Sequence, residues 1–108
     1  MKTMLAIASF MLVAGTASAQ TADTAAAEGL LKKSGCMKCH SVSADKDGPS
    51  FKKTAAKYKG KADAEAALVK HITTGPTVKV DGKEERHDMI KSKDDREIKN
   101  VVAYILSR

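Results

Sequence analysis

Five consecutive residues, Cys36-Met37-Lys38-Cys39-His40, hold most of the chain's capacity for chemistry. They include its only two cysteines and one of its three histidines. Two thiols separated by two residues, with an imidazole directly after, admit three readings. A redox dithiol works by thiolate exchange, but it expects a βαβ context that the flanking sequence lacks. A zinc site needs a fourth ligand and usually a second Cys or His pair. In the third reading, the spacing lets both sulfurs reach the two vinyl carbons of a haem and form thioethers. His40 then lies under the ring, where its Nε2 can bind iron from the proximal side. Exactly this order of residues behind an export signal favours haem attachment.

A sixth ligand is the next requirement. Met1, Met4 and Met11 fall in the N-terminal leader and Met37 is trapped between the cysteines, so Met89 is the one methionine free to reach the iron. It lies in the run HDMIKS, with His87 as an alternative donor two residues earlier. His71 sits beside Leu68 at the edge of a helical face and reads as packing or as a neighbour of a haem propionate. Iron held on both sides has no vacant position for substrate, which suits one-electron transfer. No Ser/His/Asp or paired-carboxylate arrangement suggests an enzyme. A distal site open to exchange would instead make a haem-based ligand binder, a sensor or a weak peroxidase.

The elements that must position these residues read as helical. Thr24 to Ser34 is rich in Ala, Leu and Lys, with Thr24 as N-cap and Gly35 as the stop. Gly29 inside it suggests a close packing contact. A loop to Gly48-Pro49 precedes a short helix over Phe51 to Tyr58, ended by Gly60. Ala62 to Thr73 carries Ala64, Leu68 and Ile72 on one face, and Gly75-Pro76 breaks it. Residues 76–91 lack helical periodicity and read as a surface loop. Val78 and Val80 could make a brief extended piece, but a sheet is not expected. Ser92 and Asp95 give a helix start signal, and Ile98, Val101, Val102 and Ile105 mark one face of the last helix. The expected fold is all-α, with about four short helices whose long loops wrap a group.

Lys2, the apolar run Met4 to Ala14 and Ala17-Ser18-Ala19 have the pattern of an export signal cleaved before Gln20, leaving residues 20–108 as one domain. So short a chain, with only Phe51, Tyr58 and Tyr104 as aromatics after cleavage, needs something else to fill its core. No stable membrane insertion is expected. Nine lysines stand between Lys32 and Lys61 against only Asp45 and Asp47. Nucleic acid is not the expected partner, because no helix-turn-helix pattern or stacking aromatic run accompanies the lysines. They read as a docking surface for acidic redox proteins, or as a solubility coat. On the docking reading, Lys38, Lys52 and Lys53 should matter more than Lys91 or Lys93.

From Leu30 onward the chain resembles the small bacterial class I cytochromes c, through LLKKSGCMKCHSV, DGPSFKKTAAKYKGKADAEAAL and the ending IKNVVAYILS. The resemblance implies a class I cytochrome c fold around one covalently attached haem c, with the first and last helices crossing. It implies that Gly29 and the neighbouring alanines pack against Tyr104. It also implies that the carbonyl at Gly48-Pro49 accepts a hydrogen bond from His40 Nδ1–H, which orients the ring and raises its basicity. Relatives carry their axial methionine where Met89 stands, usually followed by Pro, which this chain lacks. The implied protein is a periplasmic, monomeric carrier of single electrons between redox partners in a bacterial respiratory chain.

Overall fold

The computed structural model describes residues 21–108, so the expected leader and its cleavage before Gln20 lie outside the described residues. Four helices carry the fold: α1 (Thr24–Lys33), α2 (Phe51–Tyr58), α3 (Ala64–Thr74) and α4 (Asp95–Leu106). A single 3-10 turn, Cys36–Lys38, follows α1, and a two-stranded antiparallel sheet, β1 (Thr77–Val80) with β2 (Lys83–Arg86), follows α3. The fold is mostly helical, as expected, with this small sheet added.

The hairpin corrects the reading of residues 76–91 as a surface loop without a sheet; the brief extended piece at Val78 and Val80 is present as β1. Asp81 and Gly82 both take positive φ, 49° and 76°. A two-residue hairpin turn of the type I′ kind demands positive φ at both central positions, and Asp-Gly is a favoured pair there. The turn sets Val80 opposite Lys83 and Thr77 opposite Arg86. Every residue of β2 is exposed, so apolar alternation gave no sign of that strand.

α4 is the central element and packs against each of the other three helices. Its four periodic residues, Ile98, Val101, Val102 and Ile105, are all buried, as their spacing requires. They join Ala27 and Leu31 of α1, Phe51 of α2, Leu68 of α3 and Ile90 in one core. At the crossing of α1 and α4, Ala27 is fully buried and Tyr104 is 1% exposed. The Tyr104 hydroxyl donates to Glu28 Oε1 at 3.1 Å, and the Arg108 guanidinium lies 4.3 Å from its ring centre. Gly29 is not part of this contact. It is exposed, and a Cβ built on it would meet nothing within 4 Å.

Both anticipated caps move. Asp23, rather than Thr24, caps α1 by accepting from Ala26 N–H at 3.1 Å. Asp23 is itself held by Asn100 of α4, which accepts from its N–H at 2.8 Å and donates to its carbonyl at 3.0 Å. Asp94 caps α4 through Arg96 N–H at 2.9 Å. Ser92 lies before the cap, accepting from Asp94 N–H and donating to Glu97 Oε2 at 2.6 Å.

Candidate haem site

Gly35 opens the site. Its left-handed backbone, φ 74°, turns the chain out of α1 at a conformation that costs glycine little. The next residues close at once, with Cys39 N–H and His40 N–H both donating to the Cys36 carbonyl, at 3.3 and 3.0 Å. Two thiols and an imidazole therefore leave one tight turn. Both cysteines are free and partly buried. Burial, with the Asp88 carboxylate as the next contribution, pushes the Cys36 thiol above its ordinary value.

The loop after His40 folds back onto the imidazole. Gly48 N–H donates to the Cys39 carbonyl at 2.8 Å, and Phe51 N–H to the Ser41 carbonyl at 2.9 Å. Asp45 accepts from Ser50 N–H at 2.8 Å, which with the Lys53 ammonium holds its carboxyl below the usual range. These bonds bring the Pro49 carbonyl to 2.7 Å from His40 Nδ1. A carbonyl oxygen only accepts, so Nδ1 must carry the hydrogen, and in the neutral imidazole Nε2 is then the nitrogen with the lone pair.

Two further contacts fix the ring plane. Phe51 stacks on it, with centroids 5.7 Å apart and planes 21° apart. Gly48 presses on it so closely that an added Cβ would sit 2.5 Å from Cε1 and 2.9 Å from Nδ1. Only glycine fits there without displacing the imidazole. The sequence reading treated Gly48-Pro49 mainly through the proline carbonyl and missed the steric role of the glycine.

Met89 and His87 come from the segment between β2 and α4. α3 ends at Gly75, buried and left-handed at φ 60°, where a Cβ would meet His87 O at 2.9 Å and Met89 Cγ at 3.1 Å. His87 N–H donates to the Pro76 carbonyl at 2.9 Å, and Ile90 N–H to the Ile72 carbonyl at 2.8 Å. Met89 is 49% exposed, the one large apolar side chain left so open among the described residues. The His87 ring lies between His71, at 4.4 Å, and His40, at 6.1 Å, and its Nδ1 is buried without a hydrogen-bond partner. Burial, then the neighbouring His87 and His40, hold the His71 pKa below its ordinary value.

Beside Met89 an open hollow of about 580 Å³ is lined by Lys32, Lys33, Lys38, Lys91, Asp88 and Met89, among others. Lys91 thus shares a surface with Lys38 and does not serve as a remote control for it. Lys53 is partly neutralised by Asp45, at 3.1 Å. Among the described residues, no helix is long and apolar enough to cross a membrane.

The donor set fits a covalently bound haem. Unpaired thiols two residues apart could supply two thioethers, and the neutral His40 would present a lone-pair nitrogen whose orientation is fixed by Pro49, Gly48 and Phe51. Comparison with known proteins agrees. Cytochrome c-551 of Pseudomonas aeruginosa is 42% identical over 65 residues, 60% of this chain and 62% of that protein. Cytochrome c-552 of Hydrogenobacter thermophilus is 44% identical over 48% of this chain and 53% of its own length. The chain thus spans roughly half to three-fifths of these curated relatives.

Solved structures align over more. The class 1 cytochrome MtoD from Sideroxydans lithotrophicus superposes with a TM-score of 0.77 at 50% identity, covering 81% of this chain and 97% of that one. Cytochrome c552 of Nitrosomonas europaea gives 0.58 at 29% identity, covering 74% and 96%. A family model described as Cytochrome c matches residues 24–108. With its paired thiols, oriented histidine and class I fold, the chain belongs to the cytochrome c family, whose cofactor is covalently attached haem c.

Proposed function

We propose that this protein carries single electrons between redox proteins through one haem c, and that it does so in the periplasm as a monomer of residues 20–108 within a respiratory chain. The observation that carries the reading is the His40 ring, which is oriented on one nitrogen by Pro49 and left with a lone pair on the other. The bound haem supplies an iron that gains or loses one electron. Cys36 and Cys39 hold the macrocycle as thioethers, and His40 Nε2 is the proximal ligand. The Pro49 carbonyl draws the Nδ1 hydrogen and so raises the basicity of the ligating nitrogen. Phe51 stacked on the ring and Gly48 close against it would hold the imidazole in one orientation, which would keep ligand rearrangement small in a bound haem.

Met89 is the proposed sixth ligand. Its side chain is the large apolar one that the described residues leave half exposed, and a haem face is an apolar partner for it. His87 is a second reading, favoured by its unpartnered buried Nδ1 and its 6.1 Å approach to His40. Met89→Ala should abolish the ferric Met–iron charge-transfer band and lower the potential, whereas His87→Ala should leave the band in place. A wild type with no Met–iron band, whose spectrum changes in His87→Ala but not in Met89→Ala, would assign the ligand to His87. The relatives are cytochromes c by name and give no support to a sensor or peroxidase.

The partner surface is proposed to be Lys32, Lys33, Lys38 and Lys91 around Met89, which favours partners with acidic docking faces. Complementary charge speeds encounter and sets orientation without requiring a long-lived complex.

A further inference from the structure

Ser34 is 4% exposed, although serine is ordinarily a surface residue. Its backbone N–H ends α1 by donating to the Leu30 carbonyl at 2.9 Å, a bond that any residue could make. The hydroxyl does something else. Ser34 Oγ accepts from the N–H of Lys91 at 2.9 Å, across 57 residues of sequence. One end of this bond lies two residues before Cys36, and the other lies two residues after Met89. Ser34, Gly35, Met89, Ile90 and Lys91 line the same hollow, so the bond sits beside the thioether.

The adjacent amide is also committed. Ile90 N–H donates to the Ile72 carbonyl at 2.8 Å, and the Ile90 side chain is buried. The segment after Met89 is therefore pinned at two consecutive amides, to α3 by one and to the start of the Cys36–His40 turn by the other. Both bonds need an N–H, which proline at either position would remove.

We infer that Ser34 is a positioning residue for the distal ligand: its hydroxyl ties the Met89 segment to the attachment turn and keeps the thioether from leaving the iron. The inference rests on the Met89 reading above. The buried Ser34 hydroxyl meets the Lys91 amide in a part-buried bond, and removing it leaves that amide without its protein partner. Loss of the bond frees the segment at Lys91 while the Ile90 bond and the α1 end stay in place.

The test uses the haem-loaded wild type, Ser34→Ala, Ser34→Thr and Lys91→Pro, all below their melting temperatures. Imidazole is titrated against the ferric proteins while the Met–iron band is followed, and exchange of the Lys91 amide is measured by NMR. Ser34→Ala should bind imidazole roughly ten-fold more tightly and exchange the Lys91 amide roughly ten-fold faster, the scale of one lost hydrogen bond. Lys91→Pro should match Ser34→Ala in imidazole affinity, and the double variant should add little, since both remove one interaction. Ser34→Thr should restore the wild-type values. If wild type shows the band but Ser34→Ala leaves imidazole affinity and Lys91 exchange unchanged, the clamp is overturned and the Met89 reading stands. If wild type shows no Met–iron band, the Met89 reading fails and takes the clamp with it.

Discussion

Replacing Gly48 with alanine should damage the site more than any other single methyl group added to the chain. The new Cβ would lie 2.5 Å from His40 Cε1, 2.9 Å from Nδ1 and 3.0 Å from Nε2. The ring has nowhere to retreat, because Phe51 stacks on it and the Pro49 carbonyl holds Nδ1 at 2.7 Å. Overpacking of this kind costs about 1–3 kcal/mol, and a strained or lost hydrogen bond about 1 kcal/mol more. At ~4–8 °C per kcal/mol for a domain of this size, a total of about 2–4 kcal/mol should lower the melting temperature by roughly 8–32 °C. Thermal unfolding of the haem-loaded protein, followed by circular dichroism, reads this directly. The potential should rise as well, since a weaker Pro49 bond makes His40 a poorer donor to ferric iron. Gly29→Ala is the matched control. Nothing lies within 4 Å of its added Cβ, and alanine is favoured in a helix by about 0.5–1 kcal/mol, so this variant should melt a few degrees higher. A Gly48→Ala protein that melts within about 2 °C of wild type at an unchanged potential would refute the claim that the glycine fixes the ring.

Other outcomes follow from the same geometry. Haem should stay with the polypeptide in acid-acetone extraction and be retained less by Cys36→Ala or Cys39→Ala; free extraction from periplasmically matured wild type would contradict thioether attachment. Electron exchange with an acidic partner should slow as salt rises, because exposed charges are screened beyond ~8–10 Å. Charge reversal at Lys32, Lys33, Lys38 or Lys91 should slow that exchange more than reversal at Lys59 or Lys79, and equal effects would make the lysines a solubility coat. His71, held below its ordinary pKa by burial and its histidine neighbours, takes up its proton in the unfolded chain first. Stability should therefore fall as pH drops below about 6.5, until the lowered folded pKa is reached. Urea unfolding at several pH values should show a shallower fall in His71→Gln, and parallel curves would remove His71 from the account.

What the sequence discloses here is mostly what is local. Cys36 to His40 form one turn, so adjacency in sequence is adjacency in space. The α4 face was legible because Ile98, Val101, Val102 and Ile105 repeat at helical spacing and all point at one core. The caps were misplaced by one or two residues, since Asp23 and Thr24, or Ser92 and Asp94, are all competent acceptors and only backbone geometry selects between them. Asp81-Gly82 was a usable hairpin signal, overlooked because Lys83 to Arg86 carries no apolar residue. Gly29 and Gly48 show the opposite lesson. A helical glycine invited a packing role it does not have, whereas the glycine that does need its bare Cα meets a ring eight residues earlier in the chain. The bond from Lys91 to Ser34 had no local signature at all, because tertiary packing alone brings them together.

The central claim is that one haem iron, held by His40 and Met89, cycles by single electrons without opening a position for ligands. A spectroelectrochemical titration of the purified haem-loaded protein, with the reduced form then exposed to carbon monoxide, tests this most directly. A one-electron transition is expected, with a ferric Met–iron band that is absent only in Met89→Ala and a reduced wild type that binds carbon monoxide poorly. A wild type that takes up carbon monoxide readily, with no Met–iron band at any potential, would contradict it.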